Sequence, residues 1–464
     1  MKMSFDEDDN SLSLSKFESM LKTNKVFFFD SDEFEGIILH YMDTGRINLA
    51  KRALKIGLEQ HPKSTGIKLV QVEMLIYEDK LELAEKLLTE LFAIEPTNEE
   101  IYIQQANIFS KRDQHEKAIH SLQTALKYTD DLADIYSMIG MEYLFMDDLE
   151  KAKDYFILCL EIDELDYSAL YNVVYCFDFL DQNEKAIEYL EKFIDKNPYS
   201  EVAWHQLGRQ FYTLKKYEKA VWAFDYATLI DDTFLGAYME KAKAYEKLKR
   251  YEEAITAYTI TTELDDVTSF ALLRMGRCYL KLGNKEKALE FYHKTVHEDP
   301  LLDKGWIAIT DFYITEKNYR KALYYVNKAL GIDDTNTYYW KRYAAINQAL
   351  HFYEEAELGY RKAFENGDIN LDTFILWADT LQYTGEFENA IDILLQASDV
   401  FPEEYELEYR LAGLYYLINE IEKGSFHLAN GLRLNYHNHT FIQYFFPSVW
   451  QLVEVQDKIK NFKN

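Results

Sequence analysis

Proline and glycine are scarce, six and seventeen in 464 residues, which leaves little material for linkers or loop-rich regions and favours helices throughout. Cysteine is scarcer still. Cys159, Cys176 and Cys278 are odd in number and without paired spacing, which excludes a disulfide framework and fits a reducing compartment. Basic residues are outnumbered 51 to 80, and the net charge of −29 repels nucleic-acid phosphate and anionic membrane surfaces. Nucleic acid is therefore a disfavoured partner. No apolar run reaches membrane-spanning length, the longest early one being Val26 to Phe29, so no membrane insertion is expected. The opening residues MKMSFDEDDN are acidic where a signal peptide is basic, and a cytoplasmic location is expected.

Catalytic signatures are missing too. There is no nucleotide-binding glycine loop, no G-x-S-x-G elbow and no H-E-x-x-H helix, so neither catalysis nor a cofactor is expected. His293 and His297 lie four apart, but no third ligand accompanies them, and they read as surface histidines rather than a metal site. The three cysteines fall at positions suited to helix packing and not to nucleophilic chemistry.

Aromatic residues, by contrast, make up 16% of the chain, ample for a packed core. A small residue recurs in frames such as EKA, EEA and LAE, at Ala50, Ala84, Ala118, Ala152, Ala186, Ala220, Ala254, Ala288, Ala322, Ala356 and Ala390, then Gly424. Every step is 34 residues. With that residue as position 20, twelve repeats run without insertion from 31–64 to 405–438, the signature of a repeat architecture. Position 8 is small at Ala106, Gly140, Gly208, Ala242, Gly276, Ala344, Ala378 and Ala412, so positions 8 and 20 mark the contact between two helices of a pair. Position 4 is aromatic in most repeats, as at Tyr102, Trp204, Trp306 and Trp340, and position 24 is large, as at Phe156, Phe224 and Tyr292. Five prolines, Pro62, Pro96, Pro198, Pro300 and Pro402, occupy position 32, where a helix ends and proline cannot continue it. Asp130, Asp232, Asp266 and Asp334 fill the same position elsewhere and are expected to cap the next helix. Position 15 is Gly45, Gly283 and Gly385, or Asp, Lys, His or Asn, the composition of a turn that needs positive φ.

The segment AWHQLGRQFYTLKKYEKAVWAFDYATLIDD carries all these features, and residues 31–438 resemble the tetratricopeptide-repeat family. The resemblance implies an all-α fold, an α-α superhelix of twelve helix-turn-helix repeats whose first helices line a concave groove. Pentatricopeptide RNA binders repeat at 35 and carry a basic groove, and the strict period of 34 with a net charge of −29 argues against them. Residues 1–30 are expected to form an N-terminal arm or cap, with a short amphipathic helix over 11–22, because open terminal repeats need covering. Residues 439–464 are expected to form a C-terminal capping helix over Val449 to Ile459 that follows Pro447.

The family implies a binding role for the groove, whose wall it builds from positions 2, 5, 9, 12 and 13 of each first helix. Repeats four and five place Met141, Leu144, Phe145, Tyr171, Tyr175 and Phe179 there, an apolar and aromatic stretch. Repeat six adds His205, Arg209 and Tyr212, and repeats seven and eight supply Lys243, Lys247, Arg277 and Lys281. A ladder of cations in so acidic a chain points to an acidic peptide or protein segment as partner. The competing expectation is that Glu240, Glu246 and Asp311 neutralise the ladder as a structural network. The carboxylate clamp of chaperone-tail binders is absent: repeat three has Asn107 but Ile103, and repeat nine has Lys304 but Ala308. The expected function is thus a non-catalytic scaffold or adaptor, with an accessory subunit of a larger assembly, docking through the convex face, as the rival. The oligomeric state is left open.

Overall fold

The computed structural model describes residues 3–23, 27–264 and 268–463, and those residues form α-helices with no strand among them. Val26 and Asp266 lie outside the described residues. By its internal contacts the chain divides into two compact bodies, Met1–Asp232 and Thr233–Asn464. The first holds a leading helix, Met3–Thr23, and helix pairs from Ser31–Asp43 with Ile47–Gln60 through Glu201–Thr213 with Tyr217–Ile230. The second holds pairs from Leu235–Lys247 with Tyr251–Leu264 through Tyr405–Leu417 with Ile421–Leu434.

The turn inside each pair is set by position 15. Gly45, Gly283 and Gly385 have positive φ, and so do Asp79, Asp113, Asp147, Asp181, Lys215, Lys249, Lys317, His351 and Asn419, with φ of 53 to 64°. These are the position-15 residues of all twelve repeats, and a left-handed residue there lets the next amide turn back onto the helix. The position-16 N–H donates to the position-11 carbonyl, as in Arg46 to Tyr41 at 2.8 Å and Glu420 to Tyr415 at 2.9 Å, which satisfies a carbonyl that the helix end would otherwise orphan.

The junction between repeats differs from the sequence expectation. Caps come from position 34, one residue before each first helix: the side chains of Ser64, Asn98, Asp166, Ser200, Thr268 and Asn336 accept first-turn backbone N–H groups. Asp130, Asp232 and Asp334 stand two residues too early to do so. Position 32 instead offers its carbonyl to the aromatic at position 4. Trp204 Nε1 donates to the carbonyl of Pro198 at 3.0 Å, Trp306 to Pro300 at 2.9 Å, Trp340 to Asp334 at 2.7 Å, and the Tyr102 hydroxyl to Pro96 at 2.8 Å. At these four junctions an aromatic ring with one polar tip thus ties the turn to the helix that follows.

Within a pair, the small residue at position 8 faces the ring at position 24. A Cβ placed on Gly140 would lie 2.8 Å from Phe156, one on Gly208 2.5 Å from Phe224, and one on Gly276 2.6 Å from Tyr292. Replacing Gly208 with leucine is therefore expected to cost about 1–3 kcal/mol by overpacking, and alanine less. Thermal unfolding of the two variants checks this, and an unchanged transition in the leucine variant would refute the assigned helix contact.

Both ends carry helices outside the repeats. Phe17 of the leading helix is fully buried, with its ring 5.9 Å from Phe29, 6.3 Å from Phe34 and 6.2 Å from Tyr41. At the other end the expected single helix is broken. Phe441–Phe445, Pro447–Trp450 and Val453–Lys463 are separate helices, because the short helix begun by Pro447 closes at Leu452, whose N–H donates to Val449. Phe446, Val449, Val455 and Ile459 are buried there, and the Phe446 ring lies against Gly413.

Candidate functional site

In the first body, Tyr171, Tyr175 and Phe179 lie four residues apart on Tyr167–Phe179, one stripe of a helix face. They are 41%, 45% and 66% exposed, and the Tyr175 and Phe179 rings meet at 4.4 Å. Phe145 of the preceding first helix is also exposed, so apolar surface extends across two helices. Open aromatic surface of this kind marks contact sites more often than solvation does.

His205 does not join it. Only 8% of it is exposed, and its ring packs 5.7 Å from Phe224 inside the helix pair. Leu69, Leu273, Ile307, Ile375 and Tyr409, also at position 5, are buried as well, so in half of the repeats this position serves stacking, whereas Tyr171 is exposed there. Arg209 is half-buried and donates from Nη1 to Gln206 Oε1 at 3.0 Å. Tyr212 is half-buried with its ring 5.3 Å from Tyr217.

In the second body the cations stand on two neighbouring first helices, Leu235–Lys247 and Ser269–Lys281. Lys243 is 3.9 Å from Glu240, a loose pair, and its ammonium lies 5.6 Å from the Phe270 ring. Lys247, Arg277 and Lys281 are exposed, and among the described residues no ion pair engages them. Of the three acids expected to neutralise the ladder, Glu240 makes that loose pair with Lys243, and Glu246 and Asp311 are committed elsewhere. Glu246 accepts from Arg274 Nε at 2.8 Å and from the Tyr258 hydroxyl at 2.6 Å; burial, and then this carboxylate, push the Tyr258 phenol well above its ordinary range. Asp311 pairs with Arg342 at 2.9 Å and accepts from the Tyr338 hydroxyl at 3.0 Å. Arg274 and Arg342 both sit at position 6, which the sequence reading passed over; a basic residue there beside an acid on the preceding first helix was the signal available.

The thiols are buried. Burial pushes Cys159 and Cys278 up to about 12 and Cys176 up to about 11, so all three stay protonated at neutral pH, the state of packing thiols. His293 and His297 line a cavity of ≈ 870 Å³ with Leu272, Met275, Tyr279 and Phe291. Burial, with Lys321 nearby, holds His293 below its ordinary pKa. Among the described residues no group of three His, Cys, Asp or Glu side chains is placed to hold a metal ion, and no helix is long and apolar enough to cross a membrane.

The comparisons with known proteins agree with the repeat. Family profiles described as tetratricopeptide repeat match residues 133–164 and 270–301, in phase with the pairs above. The chain carries tetratricopeptide repeats. A third profile, for subunit 3 of the anaphase-promoting complex, or cyclosome, matches residues 180–261 of this tetratricopeptide-repeat chain. The anaphase-promoting complex subunit 3 of Schizosaccharomyces pombe is 25% identical over 138 residues, 30% of this chain and 21% of that protein; the match thus spans about a fifth of the relative's length. Among solved structures, that of the APC/C hetero-tetramer Cut9-Hcn1 is 13% identical and covers 99% of this chain and 95% of its own, with a TM-score of 0.37. YrrB, titled a TPR protein with an unusual peptide-binding site, is 16% identical and covers 39% of this chain and 93% of its own, with a TM-score of 0.32.

Proposed function

We propose that this protein is a non-catalytic scaffold that holds an acidic segment of a partner protein against the first helices of repeats seven and eight. One observation carries the reading: Lys247, Arg277 and Lys281 are exposed and, among the described residues, without ion pairs, while Glu246 and Asp311 beside them serve internal donors. In a chain with 80 acidic residues to 51 basic, a cluster of exposed cations on two neighbouring first helices leaves positive charge available to an acidic ligand. Tyr171, Tyr175 and Phe179 offer a second contact, for apolar side chains of a partner. Residues 1–30 and 439–464 act as caps in this reading, and the buried, protonated thiols support a cytoplasmic place for it. Net charge sets nucleic acid aside.

The match to an anaphase-promoting complex profile over residues 180–261 favours a second reading, in which the protein is a subunit of a larger assembly and docks through its second helices. A binding titration separates the two. Labelled peptide pools rich in Asp and Glu, or rich in Lys and Arg, are added to the full chain in low and high salt. The acidic pool is expected to bind, and to weaken as salt screens exposed charges. Equal binding of both pools, or of neither, overturns the acidic-segment reading and leaves the assembly reading standing.

A further inference from the structure

The repeat fixes which side chains are neighbours across adjacent first helices. Phe270, at position 2, lies beside Lys243, at position 9 of the repeat before, and Tyr338, at position 2, bonds Asp311, at position 9 of the repeat before. The same register sets Lys304, at position 2 of repeat nine, beside Arg277, at position 9 of repeat eight. Lys281 follows Arg277 by one helical turn, about 6 Å along the axis. All three are exposed, and among the described residues none has an ion pair. The neighbouring acids are engaged: Asp303 accepts from the Tyr339 hydroxyl at 2.6 Å, and Asp311 is held by Arg342 and Tyr338.

A single carboxylate carries one charge and is satisfied by one guanidinium fork. Three cations at neighbouring positions of two adjacent first helices call for more charge and more acceptors. A phosphate monoester brings a charge of about −1.5 to −2 at neutral pH and three acceptor oxygens, and a guanidinium binds two of those oxygens at once. We propose that Arg277, Lys281 and Lys304 form a phosphate-binding site, and that the acidic segment held by the scaffold is phosphorylated at the residue placed there. This rests on the acidic-segment reading above and adds to it the ligand's chemical class: a phosphorylated protein segment, recognised by a guanidinium flanked by two ammonium groups. In this arrangement the phosphate acts as the specifying group, and the remaining acids of the segment meet Lys243 and Lys247.

The test uses three peptide pools with identical degenerate flanks and a central serine, glutamate or phosphoserine, titrated against the full chain by fluorescence anisotropy. The phosphoserine pool is expected to bind at least about tenfold tighter than the glutamate pool, and its advantage to shrink below pH of about 6, where the phosphate takes up its second proton. Neutralising the site with Arg277→Gln, Lys281→Gln and Lys304→Gln should erase the difference between these pools without shifting thermal unfolding. Arg277→Lys keeps the charge but loses the fork, and should retain only part of the advantage. Equal affinity for the phosphoserine and glutamate pools overturns the phosphate site while the acidic-segment reading stands, whereas no binding by either sinks both. Equal affinity for a single-stranded oligonucleotide also overturns it, because the surface would then be a general polyanion binder.

Discussion

Reversing Lys243, Lys247, Arg277 and Lys281 to glutamate together is expected to weaken an acidic partner segment by at least about 100-fold while the melting temperature stays nearly unchanged. A charge-assisted contact contributes about 1–2 kcal/mol when well formed, and an exposed one about 0.2–1 kcal/mol after screening. At about 0.4 kcal/mol each, inside that exposed range, four lost attractions and four new repulsions reach about 3 kcal/mol, and about 1.4 kcal/mol is tenfold in affinity. The structure makes the stability side of this expectation specific. Lys243 gives up only a loose pair with Glu240 at 3.9 Å and its place over Phe270, and the other three give up no ion pair. The internal pairs of Glu246 with Arg274, and of Asp311 with Arg342, survive the reversal. Had the ladder been a structural network, the same variant would lose stability in repeats seven and eight. Partner affinity and thermal unfolding measured on one preparation decide the matter, and lost stability with unchanged affinity per folded molecule would reject the binding role. Arg209→Glu belongs in a separate variant, because its hydrogen bond to the buried Gln206 mixes a packing cost into the result.

Features with a strict period were legible in the sequence because each repeat meets the same neighbours. The left-handed residue at position 15 answers a local steric demand that recurs in all twelve repeats, and the small residue at position 8 against the ring at position 24 answers one that recurs in several, as at Gly140, Gly208 and Gly276. The aspartates at position 32 were misread because composition marks a junction without saying which residue begins the helix, and Ser64 and Asn98 cap from position 34. His205 was misplaced because the family assigns position 5 to the groove wall, whereas here Leu69, His205, Leu273, Ile307, Ile375 and Tyr409 are buried at that position. The ladder's cations were legible as residues, but their partners were not. Whether Glu246 meets Lys247 or Arg274 depends on side chains from a different repeat, and only the packed structure resolves that competition. At the C-terminus no period remains to guide the reading, and the break between Trp450 and Val453 followed from no repeat rule.

Arg410→Ala is expected to be the most destabilising single substitution in the second body, at about 3–5 kcal/mol, the cost of leaving a buried charge without its partner. The Arg410 side chain is 4% exposed and pairs with Asp379, from the preceding first helix, and with Glu406 at 3.0 Å. Its guanidinium also lies 4.8 Å from the Phe445 ring and 5.3 Å from that of Phe441, so one residue joins repeats eleven and twelve to the C-terminal helices. Burial raises the Asp379 pKa above its ordinary value even though Arg410 pulls it down. Removing the guanidinium leaves burial unopposed and drives that pKa higher. The folded state then binds the proton more tightly than the unfolded chain does, so stability falls as pH rises from the unfolded value of about 3.9 through the folded one. The variant should consequently lose more stability at pH 7 than at pH 5, because a larger share of Asp379 is protonated at the lower pH and needs no cation. Pairing Arg410→Met with Asp379→Leu removes both charges and should recover much of the loss, since an apolar replacement of a buried pair is often neutral. Because each repeat leans on its neighbours, amide exchange should quicken in Leu371–Thr384 and Tyr405–Leu417 and stay unchanged in Leu235–Lys247. Denaturant unfolding at the two pH values, with exchange read helix by helix, tests the whole chain of reasoning. A loss below about 1 kcal/mol, or one that is equal at both pH values, would mean that Asp379 finds water or another donor once Arg410 is gone.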